Sequence, residues 1–453
     1  EGELGISLSN GSFRTAPDDS TGANSRDGSN PGPQARCGSN GSKEESKTSS
    51  AEDAPKALPK SILKPWTPKT DAQPEGWQQD STTTEQQSSW KALLGGLRKG
   101  SDITSMLIPA EFIRPESSLE RIQDTMQHGR LLEDIARKGT TPVERMKAVV
   151  RFHVSGIIRA IFDGKKPYNP VLGETCAWNF DHASPGMSET KMVCEQVSHH
   201  PPISAFYLFN KTLGLGLEGY AEICPRFTGN TIVVPFKGER RLQINHLGEV
   251  YVMTVANLVY RGLFVGSRGA EWTGTVKIAC ARTGLRCKLD LKPLGMLGMW
   301  GTWHRVEGTL KAQAPSGKKV LVGTISGNWD KVLYYTDSNT PGALPEVLYD
   351  FEAAAASSKP KTIQPPQAVL PTDSKVVWRD LSDALGKREM KRANQVKIRI
   401  ESQQREIAAK HAKDGVACKP RFFAKGRPGS AEALWCPKLG EIEAFASSSM
   451  LSV

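Results

Sequence analysis

The chain has 453 residues, a length that allows two or three domains, and with 38% hydrophobic and 24% charged residues it can bury a sizeable core. Its 59 Lys and Arg against 48 Asp and Glu leave a net charge of +11, which favours acidic partners: nucleic acid, an anionic membrane or a phosphorylated ligand. The 8 cysteines show no C-x-x-C spacing, which suits a reducing compartment and excludes a disulfide scaffold, and no apolar run approaches the roughly 18 residues of a membrane span.

From Glu1 to about Thr84 the chain is rich in Ser, Gly, Asn, Asp and Pro with few aliphatics. Such a stretch cannot bury enough apolar surface to offset its ordering entropy, so residues 1–87 read as a disordered N-terminal region. The start at Glu1 leaves room for a targeting segment or domain upstream, and the stretch from Ala444 to Val453 is no tail anchor. Ser88 to Lys99 changes character. Trp90, Leu93, Leu94 and Leu97 fall at i, i+3, i+4 and i+7, one apolar face of a short helix that Gly95 and Gly96 weaken. By itself that pattern is an ordinary amphipathic helix docked on a core.

Two helical stretches follow, about Ser118 to Lys138 and Thr141 to Phe162, the second with Thr141 as N-cap, Pro142 in the first turn and Glu144 closing a capping box. Beyond Asp163-Gly164 the periodicity turns to β. Thr190 to Asn210, Leu213 to Cys224, Thr231 to Lys237, Arg240 to Asn245, Val250 to Val255, Gly262 to Val265, Glu271 to Ala281, Arg286 to Leu291, Val306 to Ala312 and Val320 to Ser326 read as strands. Short strands at regular spacing argue a large antiparallel sheet or barrel, and the lack of a sequence repeat argues against a propeller. A Pro-rich stretch, Ala343 to Pro371, leads to a basic helix from Ser382 to Lys413, and Arg421 to Val453 reads as irregular.

The stretch with most chemistry is Glu195-Gln196-Val197-Ser198-His199-His200-Pro201-Pro202. Two prolines end sheet pairing and fix the exit direction, leaving a rigid pair of imidazoles at a strand end, a site for an anion. The plainer alternative is one histidine bonded to backbone and the other exposed. A metalloenzyme using Glu195, His199 and His200 lacks H-E-x-x-H and any third-ligand spacing, and a nucleic-acid binder lacks zinc-finger spacing or an RNP motif.

Extended to Ile203-Ser204-Ala205, this stretch resembles the signature of the oxysterol-binding-protein-related family of lipid-transfer proteins. Lys165-Lys166-Pro167-Tyr168-Asn169-Pro170-Val171-Leu172-Gly173-Glu174 is similar to that family's phosphate-binding loop, and Lys397, Glu401 and Arg405 to its C-terminal basic triad. The similarity covers roughly Ser88 to Pro437, leaving 438–453 as a C-terminal tail. The resemblance implies an α+β fold: a large incomplete antiparallel β-barrel around a lipid tunnel, with an N-terminal helical lid and flanking helices. It implies that Lys166, Asn169, His199, His200, Lys397, Glu401 and Arg405 bind a lipid headgroup, with Glu401 orienting its two basic neighbours. It also makes Trp90, Leu93, Leu94 and Leu97 the mobile lid. The implied activity is non-enzymatic and needs no cofactor or metal. The carrier extracts phosphatidylinositol 4-phosphate and exchanges it for a second lipid between anionic membrane surfaces. Lys165 to Pro170, Gly248 to Thr254 and Ser89 to Leu94 resemble the phosphatidylserine-carrying branch; a sterol exchanger or sterol sensor is the alternative. The expected location is cytoplasmic and peripheral at membranes. Phe13, Thr15 and Ala16 resemble a phosphorylation-dependent docking motif for endoplasmic-reticulum receptors at contact sites.

Overall fold

The computed structural model describes residues 95–448 except 104–105, 107, 127, 158–164, 182–189, 267–268, 296–301, 358–361, 365–368, 416–418 and 427–434. Expectations for residues 1–87, for Phe13, Thr15 and Ala16, and for Trp90, Leu93 and Leu94 lie outside the described residues.

Strand alternation is plain in the sequence and sets the architecture. In Leu285–Leu291 the residues Leu285, Cys287, Leu289 and Leu291 are buried while Arg286 and Lys288 face solvent, the period-two pattern of a sheet with one wet face. Among the described residues 16 strands join in one sheet. Its main path runs Glu346–Asp350, Val332–Asp337, Lys319–Asn328, Arg305–Gln313, Leu285–Leu291, Gly269–Cys280, Glu249–Met253, Phe236–Ile244, Leu215–Ile223, Pro202–Asn210, Thr190–His199, Thr175–Asp181 and Thr362–Gln364. Every pairing in it is antiparallel, and its two end strands do not pair with each other, so the sheet stays open. Arg226–Phe227, Thr231–Val234 and Asn257–Arg261 form a branch on Gly269–Cys280.

The helix Pro142–Ser155 packs on the apolar face of the sheet. Thr141 caps it, its hydroxyl oxygen accepting from the Glu144 N–H at 3.2 Å, while the Glu144 carboxylate reaches Lys147 at 2.8 Å instead of closing a box. Met146, Val149, Val150 and Phe152 share one core with Leu208, Leu217, Leu242, Ile278 and Leu289 of the strands. Arg145 fixes the helix further with a buried two-point bond to Glu249 at 2.9 and 2.5 Å, and Tyr251 donates to the same carboxylate at 2.8 Å.

Several expectations are corrected. Pro201 and Pro202 do not end the pairing: Pro202 stands opposite His199, so His200 and Pro201 form the turn of a tight hairpin. Proline is tolerated there because it opens the strand Pro202–Asn210, as a first strand residue can. Gly262 to Val265 is a bend, and the strand is Asn257–Arg261 just before it. The Pro-rich stretch from Ala343 holds the strand Glu346–Asp350 and the helix Phe351–Ser357. Ser118 to Lys138 breaks into a 3-10 segment, Glu120–Met126, a single α-turn and a π-turn. Residues 95–100 form turns, so the C-terminal part of the expected lid helix, with Leu97, is not helical. Ser382 to Lys413 is two helices, Arg379–Gly386 and Met390–Lys413. Arg388 adopts φ 57°, and the Arg388 and Glu389 N–H groups bond Leu385 and Ala384 carbonyls, a Schellman closure built on arginine where glycine is usual.

Arg421 to Val453 is not irregular either. Phe423–Lys425 pairs with Trp435–Pro437, and the helix Leu439–Ser448 follows. Phe422, Phe423, Ile442, Phe445 and Ala446 cover Val193, Val197, Ala205 and Phe209 on the outer face of the sheet.

Candidate functional site

Lys166 opens a short strand, Lys166–Tyr168, paired in parallel with Ile113–Ser117, so the expected phosphate loop begins with fixed backbone. What holds it is a set of residues with no obvious chemistry in the sequence. The Tyr168 ring stacks on Trp378 at 4.5 Å, and its hydroxyl meets Ser382 at 2.9 Å. Buried Glu174 accepts from the Val171 N–H at 2.9 Å, Ser374 at 2.6 Å and Trp378 Nε1 at 2.9 Å. The loop is thereby clamped to the helices after residue 373.

Helix Met390–Lys413 docks through Ala393, Val396 and Ile400 against Phe112, Tyr168 and Val171. That stripe leaves Lys397 and Glu401 at the edge of the contact, one helical turn apart. Lys397 Nζ pairs with Glu401 at 2.7 Å, with side-chain exposures of 14% and 32%. Lys166 Nζ donates to Asn169 Oδ1 at 3.0 Å. Burial, followed by the charge on Lys397, pulls the Lys166 ammonium down to about 8 against the opposing pull of Glu401. Glu401 is ion-paired with Lys397 alone, while Lys166 feels the charges of both, so the cluster carries two cations against one carboxylate.

His199 faces this group. It hydrogen-bonds the Pro170 backbone, necessarily its carbonyl, and its Nδ1 is buried without a partner among the described residues. Burial, then neighbouring His200, hold its pKa below the usual histidine range, while the Pro170 bond and Glu401 oppose them. Its ring lies 4.7 Å from that of His200. His200, at the hairpin turn, is exposed and borders a cleft of ≈ 500 Å³ shared with Lys237, Lys425 and Trp435. Both halves of the plainer histidine alternative are therefore present, but the orphaned Nδ1 marks a bond that a ligand can complete.

Lys166, Asn169, His199, His200, Lys397 and Glu401 come together. Arg405 is exposed one turn farther on, and its Nε donates to the backbone carbonyl of Glu401 at 3.2 Å, so Glu401 orients Lys397 by its carboxylate but not Arg405. Glu195 points the other way: its carboxylate accepts from the Arg421 and Phe422 N–H groups at 2.7 and 2.8 Å, which pins the C-terminal segment to the outer face. Among the described residues no three His, Cys, Asp or Glu side chains converge as metal ligands, and no helix is long and apolar enough to cross a membrane.

The family described as "Oxysterol-binding protein" matches residues 92–444. The chain belongs to the oxysterol-binding protein family. It is 36% identical over 268 residues to oxysterol-binding protein-related protein 8 of Homo sapiens, covering 59% of this chain and 29% of that protein. It is 30% identical over 342 residues to oxysterol-binding protein-related protein 4A of Arabidopsis thaliana, covering 75% and 85%. The chain thus spans under a third of the human relative. Its fold is similar to the Osh1 ORD domain solved in complex with cholesterol (TM-score 0.65, 23% identity, 80% of this chain and 89% of the other). It is also similar to the Osh3 ORD of Saccharomyces cerevisiae in complex with PI(4)P (TM-score 0.59, 20% identity, 81% and 94%).

The clamp residues Glu174, Ser374 and Trp378 were not singled out by sequence reasoning. Glu174 closes the quoted loop, but its partners lie 200 and 204 residues away, so only the fold reveals them.

Proposed function

We propose that this oxysterol-binding-family chain is a non-enzymatic lipid carrier that extracts phosphatidylinositol 4-phosphate and exchanges it for phosphatidylserine between membranes. The observation that carries the reading is the pair of cations Lys166 and Lys397 near the single carboxylate of Glu401, which binds Lys397, together with a His199 Nδ1 that is buried and unpartnered among the described residues. A phosphomonoester brings close to two negative charges and three acceptor oxygens, which suits a cluster with surplus cation and a histidine nitrogen that becomes a donor when the ring is protonated. Lys166, Asn169, His199, His200, Lys397 and Arg405 act as the headgroup contacts, with Glu401 holding Lys397. The PI(4)P carried by the similar Osh3 ORD supports the same headgroup class. Phosphatidylserine as return cargo rests on Lys165 to Pro170; Gly248 to Thr254 is a structural strand whose Glu249 is committed to Arg145. A sterol return cargo is the second reading, favoured by the cholesterol and ergosterol in the Osh1 neighbours. The carrier works peripherally at anionic cytoplasmic membrane faces, with Phe13, Thr15 and Ala16 as an endoplasmic-reticulum receptor contact.

Extraction from liposomes tests this. His199→Ala with His200→Ala abolishes uptake of phosphatidylinositol 4-phosphate, each lost bond to a charged group costing about 1.5–3 kcal/mol. Lys166→Ala impairs phosphatidylserine and phosphatidylinositol 4-phosphate alike. Undiminished extraction by folded variants refutes the headgroup assignment, and uptake of labelled sterol without phosphatidylserine replaces the first reading by the second.

A further inference from the structure

The strand Phe236–Ile244 sends Leu242 and Ile244 into the main core, and period-two alternation puts Arg240 on that same inner face. In register, Arg240 stands opposite Gly219, and Gly219 opposite Phe206. Because Gly219 has no side chain, the two neighbours meet above it. The guanidinium carbon lies 5.7 Å from the Phe206 ring centroid, and a Cβ on Gly219 would fall 2.5 Å from that ring and 3.1 Å from Arg240 Cγ. Among the described residues the Arg240 side chain has no ion pair and no hydrogen bond, whereas adjacent Arg241 is paired with Glu239. His153 of the packed helix feels the Arg240 charge. Burial, then that charge, drive its imidazole down to about 3, so it stays neutral at pH 7 and adds no second cation beside Arg240. Burial lowers the guanidinium only to about 10, and it remains a cation.

An inward cation without a counter-charge is a liability that an apolar side chain of the same length would avoid. Its position separates it from the headgroup cluster. Phe206 pairs with Cys194, five residues before His199 on their strand, a separation of about 17 Å. A phospholipid held by its head at His199 would bring only apolar tails to this depth. We propose that Arg240 is a second anchor, deep on the inner face, for the carboxylate of a single-chain amphiphile such as a long-chain fatty acid that enters carboxylate first. This rests on the carrier reading, in that the interior receives lipid. The fork of the guanidinium matches a carboxylate and balances one negative charge; a phosphomonoester would leave its second charge unbalanced there. Phe206 supplies an apolar wall beside the first methylenes.

The test is direct binding of labelled oleate, with oleyl alcohol as the uncharged counterpart, to the unmodified chain, Arg240→Met, Arg240→Gln and Arg240→Lys. The expected result is oleate bound by the unmodified chain and by Arg240→Lys, at least tenfold weaker binding by the two neutral variants, and weak binding of oleyl alcohol throughout. Liposome extraction of phosphatidylinositol 4-phosphate by the same variants stays unchanged and reports that they fold. Equal oleate affinity in the neutral variants, no oleate binding by the unmodified chain, or oleyl alcohol bound as tightly as oleate overturns the proposal. Failure of the unmodified chain to extract phosphatidylinositol 4-phosphate counts against the carrier reading alone, because the oleate comparison does not depend on it.

Discussion

Lys166 gives the site a pH signature. In the free protein its ammonium is held near 8 by burial and by Lys397, so above that pH it is increasingly neutral. A bound phosphate restores the charge, and binding must then take up a proton. Affinity for phosphatidylinositol 4-phosphate therefore falls as pH rises past about 8, approaching tenfold per unit. His199, held below the usual histidine range, acts in the same direction at lower pH, since an anion on Nδ1 favours its protonated form. Extraction measured from about pH 7 to about pH 9.5 should show the upper limb in the unmodified chain and lose it in Lys166→Ala. A flat profile would mean that Lys166 does not meet the headgroup. Folding has its own dependence. Depression from 10.5 to about 8 means that the unfolded chain binds more protons in that window, so stability rises with pH across it.

At the scale of elements, the C-terminal helix Leu439–Ser448 is part of the folded body. Ile442 and Phe445 are buried against Phe422 and Phe423, which in turn cover the outer face of the strands behind His199. Ending the chain after Pro437 should destabilise it by several kcal/mol, at about 1.5–3 kcal/mol for each large apolar side chain lost from cover. It should also loosen the Glu195 bonds to Arg421 and Phe422. Thermal unfolding checks this, and an unchanged midpoint would make the helix an ornament of the fold. The Arg388 closure is equally local: it separates a short helix that carries Leu381 and Ala384 into the clamp from the long one that carries Lys397.

For the whole molecule the question is what governs access to the interior. Residues 100–103 are tied to the branch of the sheet by Gly100 N–H to Phe227 O at 2.7 Å, Phe227 N–H to Ser101 O at 3.0 Å and Ile103 N–H to Pro225 O at 3.1 Å. Leu97 packs beside Ile103, Phe227 and Leu263. Removing 88–99 leaves those three bonds intact, so the body should keep its unfolding midpoint while bound lipid leaves faster. A lid of low intrinsic stability suits repeated opening. An unchanged lipid off-rate rejects the lid, and cooperative loss of stability makes the segment core.

The strands were legible wherever one face is wet, as in Leu285–Leu291, because burial on one side writes a period of two into the chain. The Thr141 cap was legible because its bond spans three residues. The histidine pair stood out as a local pattern, whereas the lysine–asparagine loop and the pair Lys397–Glu401 were legible only through the family resemblance. Tertiary structure alone decided the rest. Fully buried or edge strands such as Glu346–Asp350 carry no alternation that survives neighbouring prolines and glycines. An arginine in the left-handed region gives no signal, since glycine is the residue that announces such a break. The Glu174 clamp, the outward turn of Glu195 and the inward placement of Arg240 depend on which residues the large sheet brings opposite one another. Local sequence fixes which way a side chain can point; only the pairing register of distant strands determines what it meets.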